Sequence, residues 1–488
     1  MAHTEKTQQE PKISEESADK LELVQPTAEN PDPHGIYIDE VQGRNRRMRK
    51  LISFTHSSTR AAGVMLLAAI AALIVANTAT YEPFYNFWHH TEVILAVGPL
   101  WGEISLAHMI NDMFMAVFFL LVGIEIKYEM TVGELTNIRQ AALPIMGAIG
   151  GVAVPIVIYL LFNAANPQTI GGWGVPTATD IAFALGILAL LGSRVPSGIR
   201  VFLSTLAVAD DIIAILVIAI FYGESPNLGW LAAAAVVFIV LVVMNRKHVY
   251  SLVPYMLVGC VLWFCVYMSG VHATISGVLL AFVIPSGSRI NMQTFLEWSG
   301  DRVQLANKFH DEQTPIVAQK KYLTTVNSLS NVSREVLPPV TRLEHKLYPW
   351  VYFAILPLFA LTNADVSLVG GDIFAMLTSN VVMGVFFGLV VGKPLGIMLM
   401  SFLCVKLHIA KLPEGVNWMH MLGASILGGV GFTMAIFVAN LAYTSSVFVS
   451  EAKLAILLAS LFAGVVGFLF LFMQASKAEK HSRKHPEQ

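Results

Sequence analysis

Between residues 61 and 474 the chain returns repeatedly to one pattern, an apolar segment long enough, or nearly so, to cross the hydrocarbon core of a bilayer. In that medium the backbone must satisfy its own polar groups, so only helices or a closed barrel will serve. The segments are continuous rather than alternating, which selects helices. Turn and breaker residues divide them into about twelve, near 61–78, 106–130, 142–163, 174–191, 200–222, 229–244, 252–267, 271–285, 349–364, 381–404, 419–443 and 453–473. The basic residues give a separate test. No Lys or Arg lies between Arg60 and Lys127, Arg139 and Arg194, Arg200 and Arg246, Lys247 and Arg289, or Lys411 and Lys453. Every second connection therefore lacks cations, the positive-inside pattern of an even-numbered bundle with both termini in the cytoplasm. The fold class expected is an all-α polytopic membrane protein.

Composition narrows the function. With 55% hydrophobic and 13% charged residues the chain lies outside the range of soluble domains. A net charge of -2 offers no basic face, so no nucleic-acid partner is expected. Cys260, Cys265 and Cys404 sit singly in apolar runs and suggest neither a disulfide framework nor a zinc site. Residues 1–43, rich in Glu, Gln, Pro and Ser, read as a disordered cytoplasmic tail, and the basic run Arg44 to Lys50 holds that end inside. Residues 44–475 form the membrane domain and 476–488 a short cytoplasmic tail. Two soluble features interrupt the domain. Residues 81–105, with Val93, Leu95 and Val97 before Pro99, predict an outward β-hairpin whose edge invites a second copy. Residues 286–346 form a cytoplasmic insertion with an amphipathic helix ahead of Pro338 and Pro339.

An ionisable side chain at mid-bilayer costs about 2.5–3.5 kcal/mol on insertion scales, so each one asks for a functional reading. Asp112, Asp180, Asp210, Asp211, His272 and Lys393 lie deep. Asp210 and Asp211, in FLSTLAVADDIIAILVIAIFY, are flanked on both sides by apolar helix. Two adjacent carboxylates in low dielectric cannot both stay ionised cheaply, so they titrate as a pair. A hard cation such as sodium or lithium prefers oxygen ligands and replaces the proton's charge at the same site. Competition between the two is sufficient for exchange. Thr179 and Asp180 lie in GGWGVPTATDIAFALG, where Pro176 breaks the helix, and LGGVGFTMAIF (Leu427 to Phe437) is a second interrupted span. Both contain Thr followed four residues later by Phe, and paired breaks in two halves point to an inverted-topology transporter. Lys393, in LVVGKPLGIMLM, must pair with an acid or with exposed carbonyls, or else snorkel to the inner surface. His272 is a pH-sensitive group or a satisfied helix-end histidine. Asp112 and the cluster Glu125, Lys127 and Glu129 form a cytoplasmic charge network that attracts cations, or that cluster is a solvated helix end.

The segments FFLLVGIEIKYEM, VPTATDIAFALGILALLGSRVP, AVADDIIAI, SGVHATISGVLLAF, GKPLGI and GVGFTMAIF together resemble the NhaA-type sodium/proton antiporters of bacteria, over roughly residues 50–475. That family is itself a known example of the inverted-repeat architecture. The resemblance implies twelve helices with inverted repeats, two discontinuous crossing helices, and a homodimer joined through the 81–105 hairpin. It implies a secondary transporter, not an enzyme, in the bacterial inner membrane. Sodium or lithium leaves in electrogenic, pH-regulated exchange for entering protons, and no cofactor is needed. Carried over by motif, Asp211 is the principal cation and proton site, Asp210 its partner and Thr179 an ion ligand. Asp180 compensates facing helix N-termini and Lys393 facing C-termini, and Lys393 pairs with Asp210. Glu125, Glu129 and Glu344 resemble the family's pH-response region on the cytoplasmic side, to which the residue reading adds His272 as a pH-sensitive group. Three features depart from the family: the 43-residue leading tail, the long insertion, and Tyr348 where many members carry histidine. An intramembrane aspartyl protease would need its two aspartates on separate helices and a GxGD motif, which is lacking. A retinal-binding pump using Lys393 and a sodium-coupled symporter are the other readings.

Overall fold

Helices that are apolar all round cannot choose their neighbours by an amphipathic stripe, so small residues and the few polar ones decide which faces meet. The computed structural model describes residues 55, 57–97, 100–223, 226–288, 290–367 and 373–484. The expected disordered tail 1–43, the basic run Arg44 to Lys50 and Pro99 lie outside the described residues. In chain order the elements are α1 (Ser58–Ala76), α2 (Tyr81–His89), β1 (Glu92–Val97), β2 (Leu100–Ser105) and α3 (Leu106–Thr131). Next come α4 (Ile138–Asn163), a tight 3-10 segment (Ile170–Thr177), α5 (Ile181–Leu190), α6 (Ser197–Phe221), α7 (Leu228–Arg246), α8 (Leu252–Met268) and α9 (Ile275–Val283). The insertion holds α10 (Met292–Phe309) and α11 (Lys320–Val336). Then α12 (Pro339–Trp350) passes through a π-turn (Val351–Ile355) into α13 (Leu356–Asn363). Beyond a short helix at Ile373–Leu377, the chain ends with α14 (Asn380–Lys406), α15 (Trp418–Gly428), α16 (Phe432–Ala442) and α17 (Ser446–Lys484).

Among the described residues eight helical segments are long and apolar enough to cross a membrane, and a ninth if α15 and α16, bent by 45°, count as one span. The remaining expected segments fall on α8, α9 and α13, which are apolar but shorter, so each of the twelve contains helix. The protein is an all-α polytopic membrane protein with one small antiparallel sheet.

Three soluble features differ from expectation. The hairpin begins late: Glu92 pairs with Ser105 and Val93 with Ile104, whereas Tyr81–His89 is helical. The aromatic side chains of that segment recur at i and i+4, which suits a helix face, and Tyr85 stacks on His89 at 4.2 Å. The insertion contains two helices packed on one another where one was expected. Pro315 and Gln319 organise the turn between them, the Gln319 amide donating to the carbonyls of Asp311 and Thr314 at 2.7 Å each. Finally, α17 continues to Lys484, so most of the segment 476–488 is helix rather than a separate tail.

Glycine sets the closest approach in the bundle. Helices α4 and α14 cross where Gly150 faces Gly396, and a Cβ built on either one meets the other's carbonyl oxygen. This crossing seats the middle of α14, and with it Lys393 one turn before Gly396, in the protein interior. Gly396→Val is therefore expected to destabilise the protein by about 3 kcal/mol or more, read as a lowered thermal midpoint in detergent. Gly63, whose added Cβ meets nothing within 4 Å, serves as the control, with Gly63→Ala changing stability by less than about 1 kcal/mol.

Candidate functional site

Two interrupted spans meet at the centre of the protein. In the first, the 3-10 segment carrying Pro176 ends at Thr177, Ala178 to Asp180 run extended, and α5 begins at Ile181. In the second, α15 ends at Gly428 and α16 begins at Phe432. The breaks bind each other through backbone and side chain. The Asp180 amide donates to Val430 O at 2.8 Å, and Thr179 Oγ1 donates to Gly428 O at 3.1 Å. Backbone groups freed inside the membrane domain are thus satisfied by the partner break.

One carboxylate serves both helix starts. Asp180 Oδ1 accepts from Phe183 N at 3.0 Å as the N-cap of α5. Its Oδ2 accepts from Thr433 N at 3.1 Å and Thr433 Oγ1 at 2.5 Å, in the first turn of α16. Its negative charge lies between the positive ends of two helix dipoles. The Thr-x-x-x-Phe repeat drew attention to Thr433, but its bond to Asp180 follows only from the crossing.

Asp210 and Asp211, consecutive on α6, have different surroundings. Lys393 Nζ lies 2.5 Å from Asp210 Oδ2 and also donates to Thr179 Oγ1. The lysine and both aspartates are buried. Asp210 Oδ1 is buried with no hydrogen-bond partner. Asp211 makes no hydrogen bond or ion pair with the described residues, and its carboxylate borders a constricted pocket with Glu125, Asp180, Tyr352 and Thr433. That pocket measures about 10 Å³, roughly what one water-sized sphere needs. Thr179, expected as an ion ligand, has its hydroxyl committed to Lys393 and Gly428 O here. The carboxylate oxygens left without a partner at the consecutive pair are thus those of Asp211 and the Oδ1 of Asp210.

A funnel leads to this pocket from the side opposite the hairpin. A cavity of about 690 Å³ lined by Ser58, Glu129, Arg200 and Ser204 shares walls with one of about 190 Å³ bordered by Glu125, Glu129, Glu344 and Tyr352. The latter shares Glu125, Ile181, Ala182 and Tyr352 with the pocket at Asp211. Glu125, Glu129 and Glu344 are thus brought together along the funnel. The expected network with Lys127 does not form: the ammonium turns to the carbonyls of Ala281, Phe282 and Ile284 at the C-terminal end of α9. Glu125 instead accepts from Tyr352 Oη at 3.4 Å, and Glu129 from Glu134 N at 3.0 Å. Burial raises the Glu344 carboxyl above its ordinary range, opposed by His345. His272 is not part of this group. Its Nε2 lies 2.7 Å from Tyr222 O, just ahead of α9, at the other end of that helix from the carbonyls that Lys127 holds.

The sequence pattern of the Na+/H+ antiporter 1 family matches residues 52–471. Curated relatives include the Na(+)/H(+) antiporter NhaA of Wolinella succinogenes, 41% identical over 442 residues, covering 91% of this chain and 97% of that protein. The NhaA of Helicobacter pylori strain G27 is 41% identical over 430 residues, covering 88% and 96%. NhaA 2 of Helicobacter hepaticus is 42% identical over 432 residues, with the same coverage.

Breaking a buried ion pair from one side strands the other charge, at a cost of about 3–5 kcal/mol. Lys393→Met, which keeps most of the side-chain volume, is expected to lower the thermal midpoint accordingly, and the double variant Lys393→Met with Asp210→Asn to recover most of the loss. Recovery in the double variant, measured by thermal unfolding in detergent, separates charge pairing from packing.

Proposed function

The chain belongs to the Na+/H+ antiporter 1 family, and from that premise we propose that it is an electrogenic, pH-regulated carrier expelling sodium or lithium against entering protons at Asp211 and Asp210. The observation that carries the site assignment is the unequal setting of the pair. Asp211 is buried, free of protein partners among the described residues, and borders the end of the funnel. A proton or a monovalent cation each neutralises it, and neither can bind while the other is there. The spare oxygen of Asp210 completes the ion's near shell, while Lys393 holds the other oxygen.

Exchange then follows from competition. At low sodium the proton occupies Asp211. Raised internal sodium displaces it, the carrier reorients, and the far side returns a proton in place of the ion. A second proton is carried by Asp210, which takes it up on the far side and gives it up as the pair with Lys393 re-forms, so two protons enter for each sodium that leaves and net charge moves. Thr179 joins the shell when Lys393 releases it. Asp180 and Lys393 balance the half-helix ends through both states.

The funnel mouth supports the regulatory part of the reading. The alternation of basic loops supports cytoplasmic termini and a multi-pass position in the bacterial inner membrane, which puts the funnel on the cytoplasmic side. Glu344 with its raised titration range is neutral in acid and charged in alkali, so alkalinity adds negative charge to a cation-attracting mouth. The paired strands at 92–105 support a homodimer joined through the hairpin.

Inside-out vesicles holding a proton gradient are expected to lose it on addition of sodium or lithium but not potassium. Asp211→Asn should abolish that response while the protein stays monodisperse, and persistence of exchange in this variant would refute the assignment. Glu344→Gln imitates the protonated mouth at every pH, so the rise of activity between about pH 6.5 and 9 should move toward alkaline values. An unaltered profile would remove Glu344 from the pH response.

A further inference from the structure

Amide side chains inside a span are unfavourable unless they pair, and on the hairpin side of the ion site three of them pair with each other. Asn363, at the end of α13, is buried. Its Nδ2 donates to Asn111 Oδ1 at 2.8 Å, and its Oδ1 accepts from Asn440 Nδ2 at 2.7 Å. Asn111 lies in the π-turn at Met109–Phe114 in α3, and Asn440 lies on α16 two turns beyond Thr433. Such π-turns re-aim side chains at functional positions. Three separate spans are therefore tied at one level.

One layer nearer the site, the same three spans contribute Phe119, Phe359 and Phe437. All three are buried, with Phe437 centred 5.6 Å from Phe119 and 6.2 Å from Phe359. Along α16 the order is Thr433 on the Asp180 carboxylate, then the phenylalanine layer, then the amide layer. The funnel reaches Asp211 from the opposite side. An alternating carrier must open this second side, and α16 is the element that joins the capped break to the amides. Moving it away from α13 parts Asn440 from Asn363.

We propose that Asn111, Asn363 and Asn440 are the outer latch of the carrier, positioning residues whose mutual hydrogen bonds hold the hairpin side shut in the inward-open state. Outward opening breaks these bonds and hydrates the freed amides. Sodium does not bind them. The inference rests on the reading that the ion exchanges at Asp211.

The test uses the full chain with Cys260, Cys265 and Cys404 replaced by alanine and a reporter Ala439→Cys, a buried position between the two layers. A membrane-impermeant maleimide is applied separately to right-side-out and inside-out vesicles. Asn363→Ala is expected to raise labelling from the outside by about tenfold without raising it from the inside, the shift in population that losing one or two buried hydrogen bonds gives. Asn111→Ala, which removes one partner on another helix, should act in the same direction with smaller effect. Unchanged outside labelling in variants that still exchange sodium for protons would overturn the latch. Equal gains from both sides would do so too, since that marks general loosening. Failure of both variants to reach the membrane would mark the amides as structural and also overturn it. Asp211→Asn in the same vesicles keeps the two readings apart: exchange that survives it removes the site assignment, whereas exchange lost there, with labelling unmoved by Asn363→Ala, removes the latch alone.

Discussion

Two helices interrupted inside the membrane domain expose backbone groups that water cannot reach, and the Asp180 carboxylate answers the N-terminal ends of both. The rest of the site depends on that shared cap. It holds α5 and α16 end to end across the break, fixes Thr179 against Gly428, and so sets where Lys393 finds its partners. A neutral residue at this point would leave two dipole ends facing each other without a counter-charge.

The consecutive aspartates show how one helix gives two chemistries to identical side chains. Adjacent positions on α6 are turned about a hundred degrees apart, so Asp210 meets α14 and Asp211 meets the pocket. One is bound by a lysine seated through the glycine crossing of α4 and α14, and the other borders the pocket without a hydrogen-bond or ion-pair partner among the described residues. The proposed exchange needs this inequality. Two equally paired carboxylates would hold no mobile ion, and two equally free ones would have no fixed charge to organise them.

Departures from regular α-helix cluster where chemistry is placed. The π-turn at Val351–Ile355 carries Tyr352, which bonds Glu125, and the one at Gly388–Gly392 immediately precedes Lys393. The third carries Asn111. Each inserts extra backbone into a turn and rotates the next stretch of helix, a local cost borne where a side chain must be re-aimed.

Much was legible in the chain alone. Membrane residence, the order of apolar segments, the two breaks and the buried charges follow from residue type and spacing, because hydrocarbon penalises any polar group so steeply that each exception stands out. Asp180, Asp210, Asp211 and Lys393 were found that way. Asn363 and Asn440 could have been flagged by the same rule, since amides in apolar spans are also costly. Other features were hidden. The helix at Tyr81–His89 lay in a stretch whose hairpin signal belonged only to its second part, and the insertion's second helix had no boundary clearer than Pro315. Lys127 reads as a partner of the glutamates beside it, yet the carbonyl end of α9 captures it. His272 reads as a companion of the acidic cluster, yet it lies at the other end of α9. The sequence by itself determined which residues must be satisfied inside the membrane. Only the tertiary structure decided by whom, because the partners come from spans far apart in the chain and meet through close packing that leaves no trace in local periodicity.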